Sequence, residues 1–177
     1  MSQIALLEEI LPVLERTPAT LNTMLRGLPA VWTDATDGPN TWSAFDVLGH
    51  LIHCEDDDWM KRVRRVLYDG PSVPFDPFDR EAQFRESVGK SLETLLDEFA
   101  TLRQQNLTAL RALNITEEQL ELRGTHPALG IVTLRQLLSN WTAHDLAHIL
   151  QISRTMARRY RTEIGPWVQF LSVMKQG

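Results

Sequence analysis

Cysteine is almost missing from this chain: Cys54 stands alone among 177 residues. A single thiol excludes an internal disulfide, and with it the small disulfide-stapled scaffolds of secreted proteins. A reducing, cytoplasmic setting is the corresponding expectation. Also missing is any apolar run near the roughly 20 residues that span a bilayer, and MSQIALLEEI at the N-terminus has acidic residues where a secretory leader has basic ones. No membrane partner is expected. Positive charge is not in excess, since 18 Lys and Arg face 23 Asp and Glu for a formal net charge of -5. A phosphate-binding footprint needs the opposite balance, so nucleic acid is excluded as a partner. The basic runs MKRVRRVL and RTMARRYR are offset by acidic neighbours and read as solvated helix faces. Alternating Val, Ile and Thr segments, internal repeats and low-complexity tracts are absent, which excludes sheet-based, solenoid and disordered classes.

What remains is a chain with 43% hydrophobic and 23% charged residues, the make-up of one folded domain over residues 1–177. Leu, Ile and Val recur at helical spacing, with Pro and Gly clustered between the periodic blocks. The fold class is therefore all-α. The first block, IALLEEILPVLERTPATLNTMLRGL, is expected to break at Pro12 and restart at Thr17 and Pro18. Ser43 and Asp46 open a second helix of roughly seven turns, SAFDVLGHLIHCEDDDWMKRVRRVLY. The Pro-rich DGPSVPFDPFD is longer than a helix hairpin needs and is expected to cross the bundle or border a site. A third helix is expected over about residues 87–113, carrying Leu92, Leu95, Leu96, Phe99, Leu102, Leu107 and Leu110. RGTHPALGIV reads as an ordered loop, after which Thr133 and Gln136 form a capping box opening LRQLLSNWTAHDLAHILQISRTMARRY. A short tail helix around PWVQFLSVM would pack Trp167, Phe170 and Leu171. Four long helices and this extra C-terminal helix make a four-helix bundle, an architecture that builds sites from facing helices.

The fourth helix poses a chemical question. Leu137, Trp141, His144 and His148 fall on one line of its surface, so two imidazoles border an apolar stripe where alanine would cost nothing to desolvate. Side chains four apart on a helix have Cβ atoms about 5–6 Å apart, close enough for both rings to reach one cation. The alternative is two core histidines, each satisfied by a hydrogen bond. A metal site needs a third ligand, and among His50, His53 and His126 the first two lie on a helix able to face the fourth.

TWSAFDVLGHL, HPALG and TLRQLLSNWTAHDLAHILQI together resemble the DinB-like superfamily, also called DinB/YfiT-like metalloenzymes, over about residues 40–155. An unrelated DNA polymerase shares the DinB name, and no polymerase feature occurs in this chain. The resemblance implies a four-helix bundle in which one histidine of the second helix and two of the fourth hold a divalent metal, zinc or nickel. The family's second-helix ligand follows the Trp by eight residues, which is His50 here, so the implied ligands are His50, His144 and His148. The helical projection places Phe45, Leu48, Ile52, Trp59 and Val63 on the apolar stripe and leaves His50 toward Asp57 and Lys61, as a cleft reaching solvent would require. His53 is the competing ligand, with a half-exposed surface histidine as its other reading.

Three imidazoles leave coordination positions open, as catalytic sites do. The resemblance further implies transfer of a low-molecular-weight thiol, of the bacillithiol or mycothiol type, to an electrophile, or thiol-dependent isomerisation. No protein nucleophile sits in an activating motif. Cys54 reads as a small buried hydrophobe or as a further metal ligand, and Asp145 and Glu55 as groups orienting the rings or as interhelical ion pairs. Arg62 or Arg154 would attract an anion, and His126 would shape its loop. Trp42, Trp59 and Trp141 read as core anchors, with Trp141 a possible wall of the metal pocket. The alternative function is a non-enzymatic, stress-associated bundle forming a homodimer through Trp167 and Phe170.

Overall fold

The computed structural model describes residues 4–175, and four long helical segments make its bundle. These are α1 (Ala5–Leu25), the pair α3 (Ala44–Asp57) and α4 (Trp59–Tyr68), α6 (Leu92–Ala112) and α7 (Leu134–Arg158). Short helices α2 (Ala30–Thr33) and α5 (Ala82–Glu86) lie in the connectors. Helix α1 packs on α6 and α7, and α3 packs on the same two. Consecutive helices α1 and α3 therefore occupy one diagonal, and α6 and α7 the other. Diagonal neighbours need long connections, which accounts for those from α1 to α3 and from α6 to α7. No helix among the described residues is long and apolar enough to cross a membrane.

Local signals govern the helix starts. Ser43 Oγ accepts the Asp46 amide while the Asp46 carboxylate accepts the Ser43 amide, and Thr133 with Gln136 forms the same reciprocal pair ahead of α7. Ser91 caps α6 alone, so the third helix starts at Leu92, and residues 87–91, expected to be helical, form the turn that separates it from α5. The first block does not break: α1 runs through both Pro12 and Pro18. Each proline removes one backbone donor, a cost of about 3 kcal/mol in a helix interior, but Leu7, Ile10, Leu11, Leu14, Leu21 and Leu25 all bury on this helix. The bond lost at Pro18 frees the Leu14 carbonyl, and Arg103 Nη1 donates to it at 2.9 Å.

The second helix, by contrast, divides at Asp58, whose φ of -117° and ψ of -71° leave the helical range. Three successive aspartates, Asp56 to Asp58, suit a helix N-terminus far better than a C-terminus, because the peptide dipoles favour anions at the former. Trp59 and Met60 bury just after the break.

RGTHPALGIV forms a hairpin rather than a loop, with β1 (Arg123–His126) paired antiparallel to β2 (Gly130–Thr133). Gly130 closes the turn at φ +74°, the left-handed region that short hairpin loops require. The Pro-rich connector docks on this hairpin: the Phe75 amide donates to Thr125 O at 2.8 Å, and Thr125 Oγ1 donates to Pro71 O at 2.7 Å. Gly124 lets the two segments meet, since a Cβ there would sit 2.8 Å from the Phe75 ring and the Val66 side chain. Gly124→Ala is expected to lower stability by about 1–3 kcal/mol through overpacking, read as a reduced urea midpoint. An unchanged midpoint would mean that the connector yields without cost.

The tail also departs from expectation. Gly165–Phe170 and Ser172–Met174 are 3-10 turns; Met174 is buried, whereas Trp167, Phe170 and Leu171 are exposed. Arg158 holds this tail by donating to Val173 O and Lys175 O.

Candidate metal centre

Two apolar clusters fill the bundle, one around Leu14, Trp59, Leu107 and Trp141, the other around Leu21, Leu51, Phe99 and Ile152. Between them in sequence position lies a charged layer. Arg103, 1% exposed, donates through Nη1 and Nη2 to Asp145 (2.6 and 2.9 Å) and through Nη2 to Glu55 (2.7 Å). Asn106 Nδ2 and Trp141 Nε1 donate to the same Glu55 carboxylate at 2.9 and 3.1 Å. Burial alone would lower the Arg103 pKa, but the two carboxylates more than offset it and hold the guanidinium charged. Glu55 and Asp145 are thus interhelical ion-pair partners. Arg103 itself was not singled out by sequence, because its spacing marks only a break in an apolar stripe.

Asp145 and Glu55 anchor the backbone beside His144 and Cys54, and the imidazoles converge one step away. His144 Nε2 lies 3.3 Å from His50 Nε2 and 3.1 Å from His148 Nε2. His50, His144 and His148 are a group whose ligand atoms all fall within 4.8 Å of one another. Nitrogens bound at 2.0–2.1 Å to one cation stand roughly 3.0–3.4 Å apart, so the three can hold a divalent metal with little movement. The donor chemistry agrees. His148 Nδ1 faces Gln151 Oε1 at 2.8 Å, which assigns the proton to Nδ1 and leaves the Nε2 lone pair facing the cluster. Aromatic packing holds the other rings, with Trp42 4.9 Å from His50 and Trp59 edge-on to His144 at 5.1 Å.

The rings are kept neutral, as ligation requires. Burial, then repulsion from His148, lowers the pKa of both His50 and His144 to about 3; burial lowers that of His148 as well. Unfolded histidines titrate near 6.5, so between the two values the unfolded chain binds more protons and folding weakens as pH falls. Asp58, raised by burial to about 6, works in the other direction but involves one proton against three. The melting temperature of chelator-treated protein is therefore expected to fall steadily from pH 7 to pH 4.5. A flat profile would show that the rings are solvated.

Several expectations meet the structure unevenly. His50 is buried at 6% exposure, not on a polar face, because the cavity it lines is itself recessed. His53 is equally buried rather than half-exposed, with Nδ1 3.1 Å from Glu86 Oε2 and its ring against Phe78, and it does not join the cluster. Cys54 Sγ approaches His50 Nε2 at 3.5 Å without joining the group either. Burial, reinforced by Asp58, Glu55 and Asp145, pushes its pKa well up, so it is a neutral thiol. Trp141 stacks behind Trp59 at 5.4 Å, and Trp42 with Trp59 forms the pocket wall.

The cavity over the histidines has a volume of about 420 Å³. Phe78 and Arg80 reach it from the Pro-rich connector, and Asp58, Arg62 and His126 complete its rim. Arg62 pairs with Asp58 at 2.5 Å, while Arg154 lines a different cleft. His126 shapes its turn as expected, its Nδ1 accepting the amides of Ala128 and Leu129. Arg80 and Phe78 went unnoticed in sequence because a loop gives no periodic signal.

YfiT from Bacillus subtilis, described as a probable metal-dependent hydrolase with an unusual four-helix bundle topology, superimposes with a TM-score of 0.73 at 23% identity. The match covers 87% of each chain, and it shows a common fold. No curated protein matches the sequence. The sequence profile of the DinB superfamily, however, matches residues 13–152, from α1 to the last turns of α7, and the chain belongs to that superfamily.

Proposed function

We propose that this protein is a metal-dependent enzyme whose metal, zinc or nickel, is held by His50, His144 and His148, and that it transfers a low-molecular-weight thiol to an electrophile. The carrying observation is three neutral Nε2 atoms converging at 3.1 and 3.3 Å on the wall of a cavity large enough for a small molecule. A divalent metal held there by His50, His144 and His148 would supply Lewis acidity at neutral pH. The chain's own residues do the rest. Trp42, Trp59 and Phe78 offer the aromatic surface that polarisable sulfur favours. Arg80 places positive charge at the rim, beside the Arg62–Asp58 pair, suited to an anionic thiol of the bacillithiol or mycothiol type.

A hydrolytic reading is favoured by one different feature. Asp58, on the same cavity with a pKa near 6, is suited to accept a proton from water near neutral pH, and YfiT is described as a probable hydrolase. Metal analysis of untagged protein comes first, followed by parallel screens for thiol conjugation and ester or amide hydrolysis, each with His144→Ala as control. Conjugation lost in that variant supports thiol transfer; hydrolysis lost in both His144→Ala and Asp58→Asn replaces it. Metal-free protein, or no turnover in any form, would sink the enzyme reading and favour the non-enzymatic bundle. We infer a homodimer as well, supported by Trp167 and Phe170, 68% and 73% exposed on the tail. A monomeric mass in sedimentation would refute it.

A further inference from the structure

A second cavity, of about 430 Å³, lies along α7 beyond the histidines. Trp42 lines both cavities, and so forms the wall they share. Gln151 links them a second way, because it lines this cleft while its Oε1 faces His148 Nδ1 at 2.8 Å. Nothing in the proposed chemistry uses this space.

The groups around it are unequally committed. Arg158 pairs with Asp37 and holds the tail. Thr41 Oγ1 donates to Gly38 O and accepts the Asp37 amide. Arg154 has no such occupation: among the described residues its guanidinium makes no hydrogen bond or ion pair, and its Nε is buried without a partner. A buried unpaired donor on a permanently charged group is costly unless something fills the space. Asn40 lines the same cleft at φ +60°, a left-handed turn conformation that asparagine adopts readily. Arg154 and Arg158 against Asp37 leave one net positive charge on the cleft of a chain whose formal charge is -5.

We propose that this cleft is a carboxylate-binding subsite in which Arg154 receives the anionic end of a small molecule whose other end reaches the three histidines past Trp42. A planar guanidinium with free N–H groups matches a carboxylate in two parallel hydrogen bonds. One net charge suits one carboxylate. The volume accommodates an organic group beyond the carboxylate itself. The link to the histidines rests on the reading of that cluster as the reactive centre; the subsite does not.

Succinate titrated into the metal-free, full-length protein and followed by amide NMR tests the subsite directly. Saturable shifts at Thr41, Gln151 and Arg154, with a Kd of about 1–10 mM, are expected for a pair of charge-assisted bonds. Arg154→Gln should weaken binding about tenfold or more, and Arg154→Lys should restore part of it. Shifts that remain linear to about 50 mM, or equal shifts in wild type and a folded Arg154→Gln, would overturn the subsite. The link is tested separately, by titrating 8-mercaptooctanoate and octanoate into nickel-loaded protein, since Arg154 lies six residues, about 9 Å of helix, beyond His148. Tighter binding of the thiol by about tenfold, abolished in His144→Ala while octanoate still binds and weakened in Arg154→Gln, supports a single molecule spanning both cavities. No advantage for the thiol would overturn the link and leave the carboxylate subsite intact.

Discussion

Arg103→Leu is expected to destabilise the protein by about 3–5 kcal/mol, the penalty for breaking a buried ion pair from one side. The guanidinium is the only positive charge within reach of Glu55 and Asp145 in this layer among the described residues, and it donates to both at 2.6 to 2.9 Å. Without it two carboxylates face each other with no countercharge, and the Leu14 carbonyl that Pro18 leaves unpaired loses its donor as well. Total stabilities of domains run to about 5–15 kcal/mol, so the variant should be near the limit of folding. The companion Arg103→Leu, Glu55→Gln, Asp145→Leu protein removes the charges together and is expected to recover most of the loss. Urea unfolding of both measures the difference. A single variant as stable as wild type would mean that the carboxylates take up protons or reach water instead.

His144→Ala carries the second large effect, a loss of metal affinity of well over about a hundredfold, beyond the 10–100-fold typical of removing a hydrogen-bond partner behind a ligand. His144 is the central nitrogen, the one that faces both of the others. Removing it leaves His50 and His148 on different helices, their rings 4.8 Å apart, with no third histidine between them among the described residues. Calorimetric titration with zinc or nickel measures the change, and circular dichroism checks that the Trp59 and Trp141 stack persists. Affinity within tenfold of wild type would move the metal away from this cluster. His53→Ala, by contrast, should bind metal as wild type does, because His53 faces Glu86.

Legibility from sequence followed the range of the interactions involved. The capping boxes at Ser43 and Thr133 were readable because each partner lies three residues away. So was the His144 and His148 pair, one helical turn apart. His50 came from family resemblance and not from periodicity, which placed it on the wrong face. Pro12 and Pro18 misled for a related reason: a break at the first and a restart at the second ignore distant partners, and the Leu14 carbonyl that Pro18 orphans is satisfied by a side chain 89 residues away. Arg103 looked like an interruption of an apolar face, and only its partners on α3 and α7 make it the centre of a layer.

By itself the amino-acid order determined the helical content, the capped starts at Ser43 and Thr133 and the presence of an imidazole pair on one face, since all of these are set by neighbours within a turn or two. The tertiary structure alone decided that His50 is buried beside the pair and not on a polar face, that Arg103 binds two helices through their carboxylates, and that the stretch before α5 delivers Phe78 and Arg80 to the cavity rim. Such contacts join residues dozens of positions apart, and their geometry arises from how the diagonal helices and the hairpin pack, a property no local pattern encodes.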